Sequence, residues 1–382
     1  MIYYGHQHIT RADIEAVNAV LASDFLTQGP AIETFEHKVA AYCGAAHAVA
    51  VTNATSALHI ACRAAGLGAG DVLWTSPITF VASANCARYC GADVDFVEID
   101  DATYNMSPAA LKAKLKTAKK LPKVVVPVHL AGQSCAMQRI WELSKEYGFT
   151  VIEDASHAIG GSYRDGRVGS CAYSDMTVFS FHPVKIITTG EGGMVLTNRR
   201  ELCADLQRYR SHGITRDLGR MTRVPDGPWY YEQIGLGYNY RMTDLQAALG
   251  TRQMEQLDEF VARRRYLVQR YNEKLKGLPL RTPYCAAEAD PAWHIYIVRL
   301  DLDRVTKSKA EIFDAMRRRG VMLNLHYIPV HLQPYYQELG FRAGDFPVSE
   351  QYYREAMTLP LYYDLTDAQQ DAVIAALRDV LG

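Results

Sequence analysis

One lysine stands at the point where an apolar segment gives way to a turn. Lys185 lies in FSFHPVKIITTGEGGMVLTN, residues 179–198, where Phe181 ends the apolar run and Pro183 favours an extended His182. Burial among small and apolar neighbours would lower the pKa of this lysine and provide a neutral amine. Such an amine can attack a carbonyl carbon and form a Schiff base. The alternative is an ordinary surface lysine in a turn.

A carboxylate and an imidazole follow a second apolar segment. In IEDASHAIG, residues 152–160, Asp154 closes the apolar run and His157 comes shortly after it. A carboxylate at this position can pair with a protonated ring nitrogen, and a histidine can stack on a flat cofactor or hydrogen-bond to it. Asp is also a common N-cap, so Asp154 capping a helix that begins at Ala155 is the alternative.

Two further segments have the features of phosphate sites. TNATSALHIA, residues 52–61, leads from a strand to a helix N-terminus at Ala54 and Thr55, where backbone N–H groups and hydroxyls can bind an anion. GLGYNYRMTDLQAALG, residues 235–250, places Asn239 and Arg241 just before another helix. Simple capping by Thr55 and a solvated loop around Asn239 are the respective alternatives.

The composition excludes several other classes of protein. The chain has 382 residues with 41 basic and 42 acidic side chains, so no general attraction to nucleic acid or to an anionic membrane is expected. No apolar run approaches the ~20 residues that span a bilayer, and the N-terminus lacks a secretory pattern. Eight scattered cysteines without a CxxC pair indicate reduced thiols in the cytoplasm and no metal site.

The elements that must position these residues alternate along the chain. Helices are expected at 55–65 and within 80–91, and the expected strands are 48–52, 72–76, 94–99, 123–128, 150–153 and 176–181. Continuous apolar strands separated by helices are typical of an α/β protein with a mainly parallel sheet. Ligands bind beyond the carboxyl ends of the strands in such sheets, and the motifs above fall at those ends.

The second half of the chain predicts a smaller domain. Residues 212–233 are rich in Gly, Arg and Pro and predict a long loop. Thr243 and Gln246 form a capping box that begins a helix extending to about residue 276. A second loop covers 277–293, and the remainder predicts strand 294–300, helix 309–320, strand 321–327 and a final helix from Asp367. We therefore divide the chain into a large domain, 1–250, and a small α+β domain, 251–382.

Taken together, the motifs resemble one family of enzymes. The order of TNATSAL, DASHA, FSFHPVK, EGGM and GYNYRMTDLQAALG is similar to that of the DegT/DnrJ/EryC1/StrS sugar aminotransferases over nearly the whole chain. The resemblance implies a type I aminotransferase fold, with a mainly parallel sheet in the large domain, and pyridoxal 5′-phosphate (PLP) as cofactor. Related sugar dehydratases carry histidine in place of the lysine, so Lys185 favours transamination.

The resemblance also assigns roles at the cofactor. Lys185 matches the lysine that forms an imine with PLP, Asp154 the carboxylate that faces the pyridine nitrogen, and His157 the residue at the ring oxygen. Further cofactor contacts match the phosphate-cup positions Ala54, Thr55 and Ser180 and the aromatic position Phe80. Asn239 matches a residue that reaches the cofactor phosphate of the neighbouring subunit, so a homodimer with shared active sites is implied.

The substrate follows from the same resemblance. LTQGP (26–30), SPITFVASAN (76–85) and RSHGI (210–214) are most similar to the pseudaminic acid pathway members, which aminate C4 of a UDP-linked 4-keto-6-deoxy sugar. The expected partners are this sugar and L-glutamate, which leaves as 2-oxoglutarate; neither nucleic acid nor membrane is expected. The residues that match sugar contacts are Tyr4, Thr27, Arg241, His326 and Tyr327.

Three alternatives stay open from the sequence. The His326–Tyr327 pair could be packed strand residues instead of sugar contacts. The enzyme could act on another UDP- or dTDP-linked keto sugar. The fold could also serve a non-enzymatic sensor that binds a nucleotide sugar.

Overall fold

Residues 1–382 are described by a computed structural model of the chain. The strands are β1 His47–Val51, β2 Val72–Thr75, β3 Asp93–Phe96, β4 Val124–Val126, β5 Thr150–Asp154, β6 Ser162–Tyr163, β7 Gly166–Arg167, β8 Met176–Ser180, β9 Gly193–Thr197, β10 Ile214–Thr215, β11 Glu232–Gln233, β12 Leu280–Arg281, β13 Ala289–Asp290, β14 Tyr296–Leu300 and β15 Ala356–Leu359. The helices are α1 Arg11–Leu21, α2 Pro30–Cys43, α3 Ala54–Ala64, α4 Ala82–Tyr89, α5 Pro108–Thr117, α6 Met137–Tyr147, α7 Arg200–Arg210, α8 Asp244–Gln253, α9 Leu257–Lys274, α10 Lys309–Arg318, α11 Pro334–Glu338, α12 Pro347–Glu355 and α13 Asp367–Leu381.

A seven-stranded sheet forms the centre of the molecule. Its strand order is β1-β9-β8-β5-β4-β2-β3. The neighbours from β3 to β8 pair in parallel, whereas β9 is antiparallel to both β8 and β1. The mainly parallel α/β sheet expected from the sequence is therefore confirmed. The sequence reading missed β9, which continues directly from the glycine-rich turn after Lys185.

Strands β4, β8 and β9 are buried along their whole length because helices cover both faces of the sheet. Along β4, Val124 and Val126 pack with α3 and α4 on one face, while Val125 packs with α5 and α6 on the other. Along β8 the same alternation packs Val178 with α3 and α4, and packs Phe179 on the other face with α2 and α8. Since all these faces are buried, the sheet is a rigid support for residues at its carboxyl edge.

The small domain has a separate core. Strands β12, β14 and β15 form an antiparallel sheet against α10 and α13. The capping box at Thr243 is present, and the helix expected from there is interrupted by a 3₁₀ turn at Met254–Gln256 before α9. The expected boundary at residue 250 falls inside α8.

One expectation about local structure is wrong. Residues 321–327 make only isolated bridges, Ile2 with Val321 and Asn324 with Thr358, because the chain runs from the small domain towards the sheet edge and has no continuous partner there. The long loop expected at 212–233 is present, and a short antiparallel pair, β10 with β11, joins its two ends. None of the helices is long and apolar enough to cross a membrane.

Candidate active site

A cavity of about 600 Å³ opens at the carboxyl edge of the sheet. It lies where residues after β1, β2, β5 and β8 meet the segment that follows α10. Its walls include ten of the residues singled out from the sequence: Tyr4, Ala54, Thr55, Phe80, Asp154, His157, Ser180, Lys185, His326 and Tyr327. Segments that are distant in the chain thus converge on one site, as expected for the strand ends of a parallel sheet.

Lys185 occupies the turn between the antiparallel strands β8 and β9. Its backbone N–H donates to the carbonyl of His182, and Thr189 N–H closes the turn on the carbonyl of Phe181. Burial lowers the pKa of the Lys185 amine to about 8, and the nearby Asp154 carboxylate opposes part of that shift. Lys185 is therefore a cavity residue with an accessible neutral form, not an ordinary surface lysine.

The carboxylate of Asp154 is held from both sides. Its Oδ1 accepts the backbone N–H and the hydroxyl of Ser156, at 3.1 and 2.6 Å, and its Oδ2 accepts the hydroxyl of Ser83 at 2.6 Å. No helix begins at Ala155, where the chain forms a turn, so Asp154 is not a helix cap. A carboxylate can only accept hydrogen bonds, and these donors fix its orientation towards the cavity.

Two buried histidines lie close together in the cavity wall. His157 and His294 have ring centroids 4.5 Å apart, and the Nδ1 atom of each is buried without a protein partner. Burial lowers the pKa of both rings well below the ordinary value, helped by the charge of Lys185. Neutral rings with unpaired nitrogen atoms in a cavity wall indicate polar groups that await a ligand.

The N-terminus of α3 forms another wall. The N-cap is Asn53, whose side chain accepts the N–H of Ser56 in a capping box, so the alternative of capping by Thr55 is wrong. The N–H groups of Ala54 and Thr55 have no partner in the protein and lie at the positive end of the helix dipole. A Cβ on Gly193 would lie 2.5 Å from the backbone of Asn53, so only glycine lets β9 approach this helix end.

Three sequence-predicted residues lie outside this cavity. Thr27 bridges to Thr243, Asn239 bridges to Ser211, and Arg241 bridges to Val51. Thr27 and Asn239 are exposed, and Arg241 lines a neighbouring cleft. No arginine lines the main cavity, so within one chain no guanidinium is available there to bind a carboxylate.

Sequence reasoning missed several residues of the site. Ser156 could have been found, because a serine two residues after an aspartate is typical of an Asx turn. Ser83 lies in the SPITFVASAN segment but carries no local signal of its contact with Asp154. His294 and Gly132 come together only in the fold, where Ala131 accepts the N–H of His294.

Comparisons with known proteins agree with this geometry. The profile of the DegT/DnrJ/EryC1/StrS aminotransferase family matches residues 7–378. The chain is 38% identical over 376 residues to the spore coat polysaccharide biosynthesis protein SpsC of Bacillus subtilis, covering 98% of this chain and 95% of SpsC.

Solved structures with the same fold cover the whole length. PseC of Helicobacter pylori, an aminotransferase involved in the biosynthesis of pseudoaminic acid, superimposes with a TM-score of 0.91 and 28% identity, covering 100% of this chain and 99% of PseC. Spr1654 of Streptococcus pneumoniae in its PMP form gives a TM-score of 0.90 at 27% identity, covering 99% of this chain and 98% of Spr1654. The same protein has also been solved in a PLP form.

Proposed function

The chain belongs to the DegT/DnrJ/EryC1/StrS aminotransferase family, and from that premise we propose that it transfers the amino group of L-glutamate to C4 of a UDP-linked 4-keto-6-deoxy sugar. The proposed product is UDP-4-amino-4,6-dideoxy-N-acetyl-β-L-altrosamine, an intermediate of pseudaminic acid biosynthesis. The observation that carries the proposal is the single cavity that joins the amine of Lys185 to the anchored carboxylate of Asp154. The similarity to PseC supports the choice of sugar.

Enzymes of this family depend on PLP, and the cavity residues fit that group. The free N–H groups of Ala54 and Thr55 suit its phosphate, Asp154 suits a protonated pyridine nitrogen, and Lys185 suits its aldehyde carbon. The unpaired Nδ1 of His157 suits the ring oxygen. Bound PLP supplies an electron sink for the carbon that carries the transferred nitrogen.

The chain's own residues would divide the remaining work. Lys185, in its neutral form, would take a proton at Nζ and return it, acting first as general base and then as general acid. The Asp154 carboxylate, which the hydroxyls of Ser83 and Ser156 orient, would hold a cation opposite it. The apolar walls and the tyrosines Tyr4 and Tyr327 limit water in the cavity.

A second copy of the chain would complete the site. The cavity has no arginine, whereas Arg241 and Asn239 lie two residues apart on a segment outside it. The adjoining hairpin between β10 and β11 exposes large apolar side chains to solvent. Among them, Leu218, Val224 and Trp229 have 71%, 90% and 68% of their surface exposed. Apolar surface of this kind marks a contact with another protein. We therefore propose a homodimer in which Asn239 and Arg241 serve the partner's cofactor phosphate and sugar, with Thr27 nearby.

The test is a product assay on a panel of substrates. Purified PLP-loaded protein is incubated with L-glutamate and 4-keto-6-deoxy sugars linked to UDP or dTDP, and amino sugars and 2-oxoglutarate are detected by mass spectrometry. We expect the UDP-linked N-acetylated sugar of the pseudaminic acid route to react fastest. Faster reaction of another keto sugar would show that the proposed sugar is wrong and that the enzyme is still a sugar aminotransferase. Amination of another keto sugar is the second candidate function, because SpsC is named for polysaccharide biosynthesis. No turnover with any sugar and no 2-oxoglutarate would favour a sensor.

A further inference from the structure

One hydrogen bond joins the small-domain side of the cavity to His157. Tyr327 lies in the segment after α10, and its Oη atom is 3.1 Å from Nε2 of His157. The two rings lie at an interplanar angle of 28° with centroids 6.1 Å apart. This bond engages one nitrogen of the imidazole and leaves the other, Nδ1, unpaired.

Both groups in this bond are neutral. Burial, the charge of Lys185 and the charge of His326 lower the pKa of His157 well below its ordinary value. Burial, Asp154 and Tyr4 raise the pKa of Tyr327 well above that of a free phenol. A neutral imidazole has one N–H and one lone pair, so only one hydrogen atom lies between Oη and Nε2.

The hydrogen-bond inventory decides which group donates. If Nε2–H donated to Oη, the phenolic hydrogen would have no acceptor, because Tyr327 Oη has no other partner. The lone pair on Nδ1 would also be unpaired, which leaves two buried polar groups unsatisfied. If Tyr327 donates to Nε2, the phenolic hydrogen and Nε2 are both paired, and the groups without a protein partner are Nδ1–H, which lies in the cavity wall, and the lone pairs of Oη. A hydroxyl that already donates loses little when its lone pairs stay free, whereas an unpaired phenolic hydrogen and an unpaired imidazole nitrogen cost more together, so the second arrangement is favoured.

We propose that Tyr327 is a positioning residue that donates its phenolic hydrogen to Nε2 of His157, fixes the ring as the Nδ1–H tautomer, and so presents Nδ1–H as a donor to a ligand oxygen. The tautomer itself follows from the protein alone. The identity of the acceptor as the ring oxygen of PLP rests on the proposed function. Tyr327, assigned from the sequence to the sugar, would thus act on the cofactor through His157.

The first test is histidine NMR on the cofactor-free protein. The chain is labelled with ¹⁵N and ¹³C in its 12 histidines, and the His157 signals are identified by their loss in His157→Asn. We expect wild-type Nδ1 to be protonated and Nε2 to carry the lone pair, and Tyr327→Phe to move His157 towards the Nε2–H form. Tyr4→Phe is the matched control, because it removes a phenol from the same cavity with no bond to His157.

Two results would overturn the proposal. One is a wild-type His157 that carries its hydrogen on Nε2. The other is a His157 tautomer that does not change in folded Tyr327→Phe. Should Tyr327→Phe fail to fold, the wild-type spectrum alone decides.

The second test measures the affinity of the apo protein for PLP and for an analogue that lacks the ring hydroxyl. Tyr327→Phe should weaken PLP binding about tenfold, the loss expected for one hydrogen bond to a charged acceptor, and should leave the analogue unaffected. Equal loss for both ligands would contradict the assigned acceptor. Failure of wild-type protein to bind PLP would instead overturn the proposed function and leave the tautomer to the NMR result.

Discussion

Lys185 has an environment unlike that of a surface lysine. Its amine shares a cavity with the Asp154 carboxylate, and burial lowers its pKa to about 8. At pH 7 about one such lysine in ten is neutral, compared with about one in 2,500 for a free lysine. The neutral fraction matters because only that form attacks a carbonyl carbon.

The pH dependence of covalent PLP attachment follows from this value. The lysine loses its proton as pH rises, so the attachment rate should increase about tenfold per unit below pH 8 and level off above it. Stopped-flow absorbance of apo protein mixed with PLP measures the rate. A rate that keeps rising up to pH 10 would show that the pKa of the Lys185 amine is not lowered.

Ser83 holds Asp154 and should therefore matter for cofactor binding. It is fully buried, and its hydroxyl donates to Oδ2 of Asp154 while accepting from Thr79. Ser83→Ala removes a hydrogen bond to a charged group, worth about 1.5–3 kcal/mol, and should weaken PLP binding roughly 10- to 100-fold. The matched control is Ser144→Ala, another buried serine, which bonds only to Trp141 within α6. Equal PLP affinity in both variants would contradict the role of Ser83.

Among the elements, two glycines allow the site to assemble. Gly193 brings β9 against the N-terminus of α3, and Gly132 lies behind both histidines with a φ of 99°. A Cβ on Gly132 would be 2.8 Å from the carbonyl oxygen of His157 and 3.1 Å from the nitrogen of His294. The glycine therefore sets how closely the turn after β5 approaches the segment before β14.

Gly132→Ala should lower both stability and PLP affinity. A positive φ costs alanine about 1–2 kcal/mol. In addition, the new Cβ would clash with the backbone of His157 and His294 and displace both residues. Gly277→Ala is the control, since Gly277 has a φ of 86° with no atom within 4 Å of the added Cβ. The temperature of thermal unfolding should fall in both variants, whereas PLP affinity should fall only in Gly132→Ala. Normal PLP affinity in Gly132→Ala would contradict this positioning.

The sequence predicted elements with strong local patterns and failed where long-range contacts decide. Buried strands such as β5 and β8 and the capped start of α8 follow from apolar runs and capping residues. Segment 321–327 is apolar enough for a strand, but its pairing depends on partners that the fold does not supply. At the site, Lys185, Asp154 and His157 were found through local motifs and resemblance. Ser83 and His294 were not, because their contacts with Asp154 and His157 exist only after distant segments meet.

For the molecule as a whole, the proposed dimer makes each site depend on two chains. Asn239 is exposed and lies outside the cavity of its own chain. If it serves the partner's cofactor, Asn239→Asp would bring a negative charge close to a phosphate and weaken PLP binding.

Subunit mixing tests this arrangement. Lys185→Ala and Asn239→Asp should each be inactive, but in a heterodimer one site would receive both defects and the other neither. Random exchange should therefore restore activity to roughly a quarter of wild type, since half the dimers are mixed and each has one intact site. No recovery, despite heterodimers seen by native mass spectrometry, would mean that Asn239 acts within its own chain.

The most direct measurement is the half-reaction with L-glutamate alone. PLP-loaded protein is mixed with L-glutamate in the absence of sugar, and 2-oxoglutarate is measured against the change in cofactor absorbance. Lys185→Ala is compared with Lys309→Ala, because burial lowers the pKa of Lys309 to about 8 as well, although it does not line the cavity. Wild type and Lys309→Ala should form one 2-oxoglutarate per site, and Lys185→Ala should form none at a comparable rate. Formation of 2-oxoglutarate by Lys185→Ala at the wild-type rate would contradict the assignment of Lys185 as the proton-transferring residue.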